Sequence, residues 1–139
     1  MSTALQALRD WLAAHPSPDE PVATWSGGER RTQAGREVVS LPYPDYLPVI
    51  DTFWSALEGV PGWSPGQTGD YHAVVERWRA ANAIDRIGVE HPARMDRATL
   101  LGFLRSIDRG ERFCDGHWQD CFRGGLMHAA ARALVAMDK

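Results

Sequence analysis

Between Glu111 and Trp118 the sequence places two carboxylates, a guanidinium, a thiol, an imidazole and two large aromatics within eight residues (Glu111-Arg112-Phe113-Cys114-Asp115-Gly116-His117-Trp118). No other window of the chain gathers so many reactive groups. Metal binding is one chemistry open to them. Cys114, His117 and Cys121 are three and four residues apart, so on a helix they would share a face. Thiolate and imidazole suit zinc, and His128 is available as a fourth ligand from further along the chain. Cys-x2-His-x3-Cys is not a zinc-finger spacing, however, and Cys114 stands where a helix would only be starting. A disulfide between Cys114 and Cys121 fits worse, because seven residues of helix separate two Cα atoms by about 10 Å.

Nucleophilic catalysis is the second chemistry. Cys114 with His117 would make a thiolate–imidazolium pair, with Asp115 or Asp120 orienting the ring. Neighbours three residues apart are rarely placed for in-line proton transfer, and Cys/His enzymes usually draw the two groups from distant parts of the chain. Structural use accounts for every residue more simply. Asp115 would cap a short helix through the amides of His117 and Trp118, and Phe113, Cys114 and Trp118 would be buried. A binding site is the fourth possibility. Tyr43, Tyr46, Arg112, Asp115, His117 and Trp118 would line one polar-aromatic pocket if the Pro-Tyr segment folds against this stretch. A guanidinium with aromatic walls suits a nucleotide, a phosphorylated metabolite or an acidic peptide.

The elements that must position these groups are legible in the hydrophobic pattern. Thr3-Ala4-Leu5-Gln6 has capping-box spacing, and Leu5, Leu8, Trp11 and Leu12 then mark a helix that Pro16 and Pro18 stop near His15. Two β-prone runs, 22–25 and 37–41, surround a polar stretch with Gly27, Gly28 and Gly35, and predict an antiparallel hairpin with a long tip carrying Arg30, Arg31 and Arg36. Leu41 to Tyr46 holds Pro42 and Pro44 and is barred from regular helix. Pro48 opens the next helix, with Tyr46, Val49, Ile50, Phe53, Trp54 and Leu57 expected to line its apolar face. Asp70 caps a helix expected to run to about Ile87. Asp96 caps another, whose Leu100, Phe103, Leu104 and Ile107 recur at i, i+3, i+4 and i+7, with Gly110 as the residue just past its end. A short helix over 117–122 and a final one over 126–137 complete the set. The pattern predicts a single α+β domain over 1–139, predominantly helical, with five or six helices packed around a small antiparallel β-hairpin.

Two segments, Arg112-Phe113-Cys114-Asp115-Gly116-His117 and Pro42-Tyr43 followed by Tyr46, together resemble the bacterial domain-of-unknown-function family 6508. The resemblance covers most of 37–137 and implies the same fold and a shared contact or site between the two segments. It implies no reaction.

Composition narrows the rest. The chain has 139 residues, 44% apolar and 24% charged, the profile of an ordinary globular protein. Its net charge of −3 argues against bulk binding of nucleic acid or anionic membrane. The last helix offers only His128 and Arg132 as long polar groups, too few for a recognition helix. Lys139 is the only lysine beside fourteen arginines, an arginine bias typical of GC-rich coding. No apolar run approaches the ~20 residues that span a bilayer, Met1 to Ala14 contains Arg9 and Asp10 and lacks the continuous apolar core expected of a secretory signal, and two cysteines make no disulfide framework. The resulting expectation is a small cytoplasmic binding or interaction module, non-enzymatic and without a cofactor, whose partner is an unidentified small ligand or protein. The alternative is a hydrolase or transferase using Cys114 and His117, with or without a metal.

Overall fold

The computed structural model describes residues 3–39 and 41–138. The side chain of Thr3 lies outside the described part, and with it the expected capping box. Helix α1 (Gln6–Ala14) follows a 3-10 turn, Thr3–Leu5. Four short strands come next: β1 (Ala23–Ser26), β2 (Arg30–Gln33), β3 (Arg36–Val39) and β4 (Tyr43–Tyr46). The remainder is helical: α2 (Pro48–Leu57), the single turn α3 (Pro65–Thr68), α4 (Tyr71–Ala81), α5 (Arg97–Gly110), α6 (His117–Arg123) and α7 (Leu126–Ala136). Six of these helices have seven residues or more, beside two antiparallel strand pairs, so the fold is a mostly helical α+β arrangement. No helix among the described residues is long and apolar enough to cross a membrane.

The strand pairing differs from the expected hairpin. The run 37–39 pairs with Arg30–Thr32, not with the Trp25 strand, and β1 pairs instead with the proline-containing β4. The cause is local. Ala34 and Gly35 both take positive φ, 53° and 78°, which is the two-residue turn whose twist suits a tight hairpin. That turn commits β3 to β2. Gly27 sits where the two arms of the chain nearly touch: a Cβ there would meet the Leu41 carbonyl oxygen at 2.4 Å. Pro44 is tolerated in β4 because β4 lies at the edge of a two-stranded sheet.

Strand alternation divides β4. Tyr46 lies opposite Ala23 and Pro44 opposite Trp25 on one face, while Tyr43 lies opposite Ser26 on the other. The first of these faces meets the helices, through Tyr46 against Trp118 and Trp25 bonded to Gln119.

Apolar side chains from α1, α2, α5, α6 and α7 form one buried cluster, with Phe53, Phe122, Leu8, Ile50, Leu100 and Leu134 fully enclosed. Each such side chain stabilises the fold by about 1.5–3 kcal/mol. The α5 face runs as its spacing requires, with Leu100, Phe103, Leu104 and Ile107 all buried. Asp96 caps α5 by accepting from the Thr99 amide at 2.7 Å, and Asp70 caps α4 through Ala73 at 3.2 Å.

Helix α4 stops at Ala81, six residues short of the expected Ile87. The side-chain amide of Asn82 donates to the Trp78 carbonyl at 2.8 Å, a local bond that competes with helix continuation. Ile84 N then donates to Arg79 O at 3.0 Å and Ala83 N to Ala80 O at 3.3 Å, the two bonds of a Schellman C-terminus. Its left-handed position is filled by Ala83, with φ 53°, where an L side chain is strained. Ala83→Gly should therefore stabilise the protein by about 0.5–1 kcal/mol, seen as a higher urea midpoint at unchanged slope. A lower midpoint would contradict the motif.

His128 on α7 ties that helix to the exit of α1. Its Nε2 lies 2.7 Å from the His15 carbonyl oxygen, an acceptor only, so Nε2 carries the proton. The ring is 1% exposed, sits between Trp11 and Phe122 with centroids at 4.9 Å from each, and its Nδ1 has no partner among the described residues. Burial depresses the imidazole pKa below its ordinary 6.5. The folded state thus refuses a proton that the unfolded chain accepts, so stability falls as pH drops below about 6.5 and is unaffected above it. The slope is at most about 1.4 kcal/mol per pH unit. Urea titrations at pH 7.5, 6.5 and 5.5 should show this loss in the wild type and a flatter profile in His128→Gln.

Candidate functional site at the joint between the fifth and sixth helices

The eight-residue stretch is the joint between α5 and α6. Gly110 is the last residue of α5, not a left-handed residue beyond it. Its lack of a side chain is needed for packing, since a Cβ there would lie 2.3 Å from the His117 ring. Phe113 N and Cys114 N both donate to the Gly110 carbonyl at 3.1 Å, which wraps the chain into a tight turn. Gly116 then takes φ 89° and begins α6. The indole of Trp25 covers it, with ring atoms 2.9 and 3.0 Å from where a Cβ would be. Trp25 Nε1 also donates to the Gln119 side chain at 2.6 Å.

Glu111 organises the joint. Its Oε2 accepts from Gly116 N at 2.8 Å, and its Oε1 accepts from Trp118 N at 2.9 Å and from the Tyr46 hydroxyl at 2.6 Å. A carboxylate facing the first turn of a helix satisfies amides that have no intrahelical partner. Burial, followed by the hydrogen bond to Glu111 and its charge, holds the Tyr46 phenol above its ordinary pKa, so it remains a donor. The expected cap, Asp115, is exposed and makes no such bond, because the left-handed Gly116 turns the chain at the helix entrance and leaves position 115 outside it.

Trp118 anchors the joint to the core. Its ring centroid is 5.1 Å from Tyr46 and 5.4 Å from Trp54. Its Nε1 donates to the carbonyls of Ile107 at 3.0 Å and Asp108 at 3.2 Å, on the last turn of α5. Beyond Trp54 the run continues to Trp63 at 6.1 Å, over which the buried Arg105 places its guanidinium at 3.8 Å. Asp108, Arg109, Glu111, Arg112 and Trp118 enclose an open cleft of about 380 Å³ on the outside of the joint.

A family model described as a family of unknown function, DUF6508, matches residues 1–138. The chain belongs to this family. No curated protein and no solved structure matches it.

The residues singled out from sequence divide unevenly in this DUF6508 protein. Tyr46, Arg112 and Trp118 come together around Glu111 and the cleft. Tyr43 stands on the opposite face of β4 and is half exposed. Tyr46 does meet the stretch, but its partner is Glu111, not Arg112, Asp115 or His117. Phe113, expected in the core, is 88% exposed. It lies on the tight turn, outside the last turn of α5 and the first of α6, where neither helix covers it. Trp118 is only partly buried, though packed on the core.

The reactive groups are also arranged differently from the spacing argument. His117 Nε2 faces Cys121 Sγ at 3.6 Å. Cys114 is exposed, its Sγ 4.0 Å from the Asp115 carbonyl oxygen. Burial, with the charges of Asp120 and Glu111 added, pushes the Cys121 thiol up to about 11, so it is protonated at neutral pH and a poor nucleophile. His128 is committed to His15 through Nε2 and does not join the other three. Among the described residues no group of three or more His, Cys, Asp or Glu side chains is placed to hold a metal ion.

Asp108, Arg109 and Glu111 were missing from the sequence-derived site. For Asp108 and Arg109 the signal available was spacing, since Arg112 follows them by four and three residues; Glu111 gave none beyond its place in the stretch.

Proposed function

We propose that this protein is a small non-enzymatic interaction module that engages a protein or peptide partner through the α5–α6 joint. The supporting observation is Phe113, a large apolar ring 88% exposed on a turn whose backbone and neighbours are fixed by hydrogen bonds to Gly110 and Glu111. Leaving that ring in water forgoes about 1.5–3 kcal/mol of burial, and a fixed, protruding aromatic is what interface anchors use. Because Phe113 protrudes, its complement is a hollow on a partner; a small molecule in the cleft would not cover it. Trp25, 45% exposed over Gly116, extends the aromatic surface on the same joint. The arrangement of Cys114, His117 and Cys121 supports binding over the hydrolase or transferase alternative, since the imidazole faces the thiol that stays protonated.

The test begins with a photo-crosslinking residue at position 113 and, as a control, at the exposed Glu90. A partner captured only from position 113 is purified and titrated against the wild type and Phe113→Ala. The substitution should weaken binding by about 2 kcal/mol, roughly 30-fold, while changing folding stability by no more than about 0.5 kcal/mol. Equal capture from both positions, or an affinity indifferent to Phe113, would remove the proposal.

A further inference from the structure

Arg109 and Arg112 border the same cleft, and among the described residues neither guanidinium has an ion pair or hydrogen bond. Both acids that share the cleft are already engaged. Asp108 Oδ2 accepts from Arg105 Nη1 at 2.7 Å, and both oxygens of Glu111 are taken by the two amides and the Tyr46 phenol. Counting Arg105, which neutralises Asp108 from the buried side, three guanidiniums face two carboxylates. The two unengaged arginines are three residues apart, one on the last turn of α5 and one on the turn that follows, and so project to the same side.

We infer that this cleft is an oxyanion subsite, in which Arg109 and Arg112 grip a phosphoryl or carboxylate group beside the Trp118 ring. The inference deepens the interaction reading, because the group would be carried by whatever covers Phe113. Guanidiniums are planar forks matched to such oxygens. The negative end of α5 opposes an anion here, but that effect weakens binding only about two- to fivefold. One charge-assisted hydrogen bond strengthens it by about tenfold or more, so two arginines outweigh the helix end.

Inorganic phosphate and succinate serve as probes, each titrated at constant ionic strength against chloride, with the backbone amide resonances of 108–118 followed by NMR. The expected result is saturable shifts confined to the joint, with affinity falling about tenfold in Arg109→Ala and in Arg112→Ala and unchanged in Arg31→Ala, an exposed arginine on β2. Saturation by phosphate alone assigns a phosphoryl group, by succinate alone a carboxylate, and by both an unselective oxyanion site. Linear, unsaturable shifts, or the same affinity in all three variants, would overturn the inference. Since Arg112 is exposed and both side chains lack partners among the described residues, the variants should fold, which their amide spectra check directly. A partner held through Phe113 yet indifferent to both arginines would sink the subsite and leave the interaction reading standing. Phosphate saturation without any Phe113-dependent partner would do the reverse.

Discussion

Glu111→Ala should cost about 3 kcal/mol of folding stability, a large loss for a side chain that water can partly reach. Three donors lose their acceptor at once: the amides of Gly116 and Trp118 and the Tyr46 hydroxyl. A hydrogen bond to a charged group contributes about 1.5–3 kcal/mol. The three do not add fully, because water entering from the open cleft would replace some of them. Glu111→Gln should recover part of the loss, as its carbonyl still accepts while its amide presents N–H groups to donors. Tyr46→Phe removes one donor cleanly and should cost about 1 kcal/mol. The Tyr46→Phe/Glu111→Gln double variant should be less destabilised than the sum, since the two groups share a bond. Urea unfolding of the four variants measures all of this. A Glu111→Ala protein within 0.5 kcal/mol of the wild type would mean the carboxylate does not hold the joint.

Trp118→Ala should cost a similar amount or more, about 3–4 kcal/mol, near the lower end for a large aromatic because the ring is only partly buried. Two contributions combine. The ring fills the space between Tyr46 and Trp54, and its indole N–H satisfies carbonyls at the last turn of α5 that have no intrahelical partner. Trp118→Phe separates them, keeping much of the packing while losing the donor, and should cost about 1–2 kcal/mol. If Trp118→Phe proved as damaging as Trp118→Ala, the carbonyl bonds and not the packing would dominate.

Periodicity carried most of the architecture. Leu100, Phe103, Leu104 and Ile107, or Val49, Ile50, Phe53 and Leu57, announce a helix and its buried face together, since one spacing produces both. The caps Asp70 and Asp96 were legible for the same reason: an N-cap bond spans only three residues. What failed depended on contacts distant in sequence or on a single backbone angle. Pairing β1 with β4 follows from the two-residue turn at Ala34 and Gly35, and an alanine at positive φ gives no warning in the sequence. The capping of α6 by Glu111 could not be read either, because its carboxylate reaches Trp118 across seven residues through a loop whose shape local spacing does not set. Phe113 failed for another reason. Apolar character says that burial would be favourable, not that the chain supplies a place for it. The candidate site inherited these errors: Tyr46, Arg112 and Trp118 were grouped together, but Glu111 was counted only among the reactive groups of the stretch and not as the carboxylate that joins them.

The clamp between α1 and α7 bears on how the chain is made. His128 and Arg132 donate to the carbonyls of His15 and Pro16, and Arg9 pairs with Asp138 at 2.7 Å. The partners of α1's exit are therefore translated more than a hundred residues after it. At about 5–20 residues per second, α1 waits roughly 6–25 s on the ribosome with Leu8 and Trp11 lacking the α7 surface that later covers them. The buried face of α1 is therefore completed by the part of the chain made last, and the core closes only once α7 is in place.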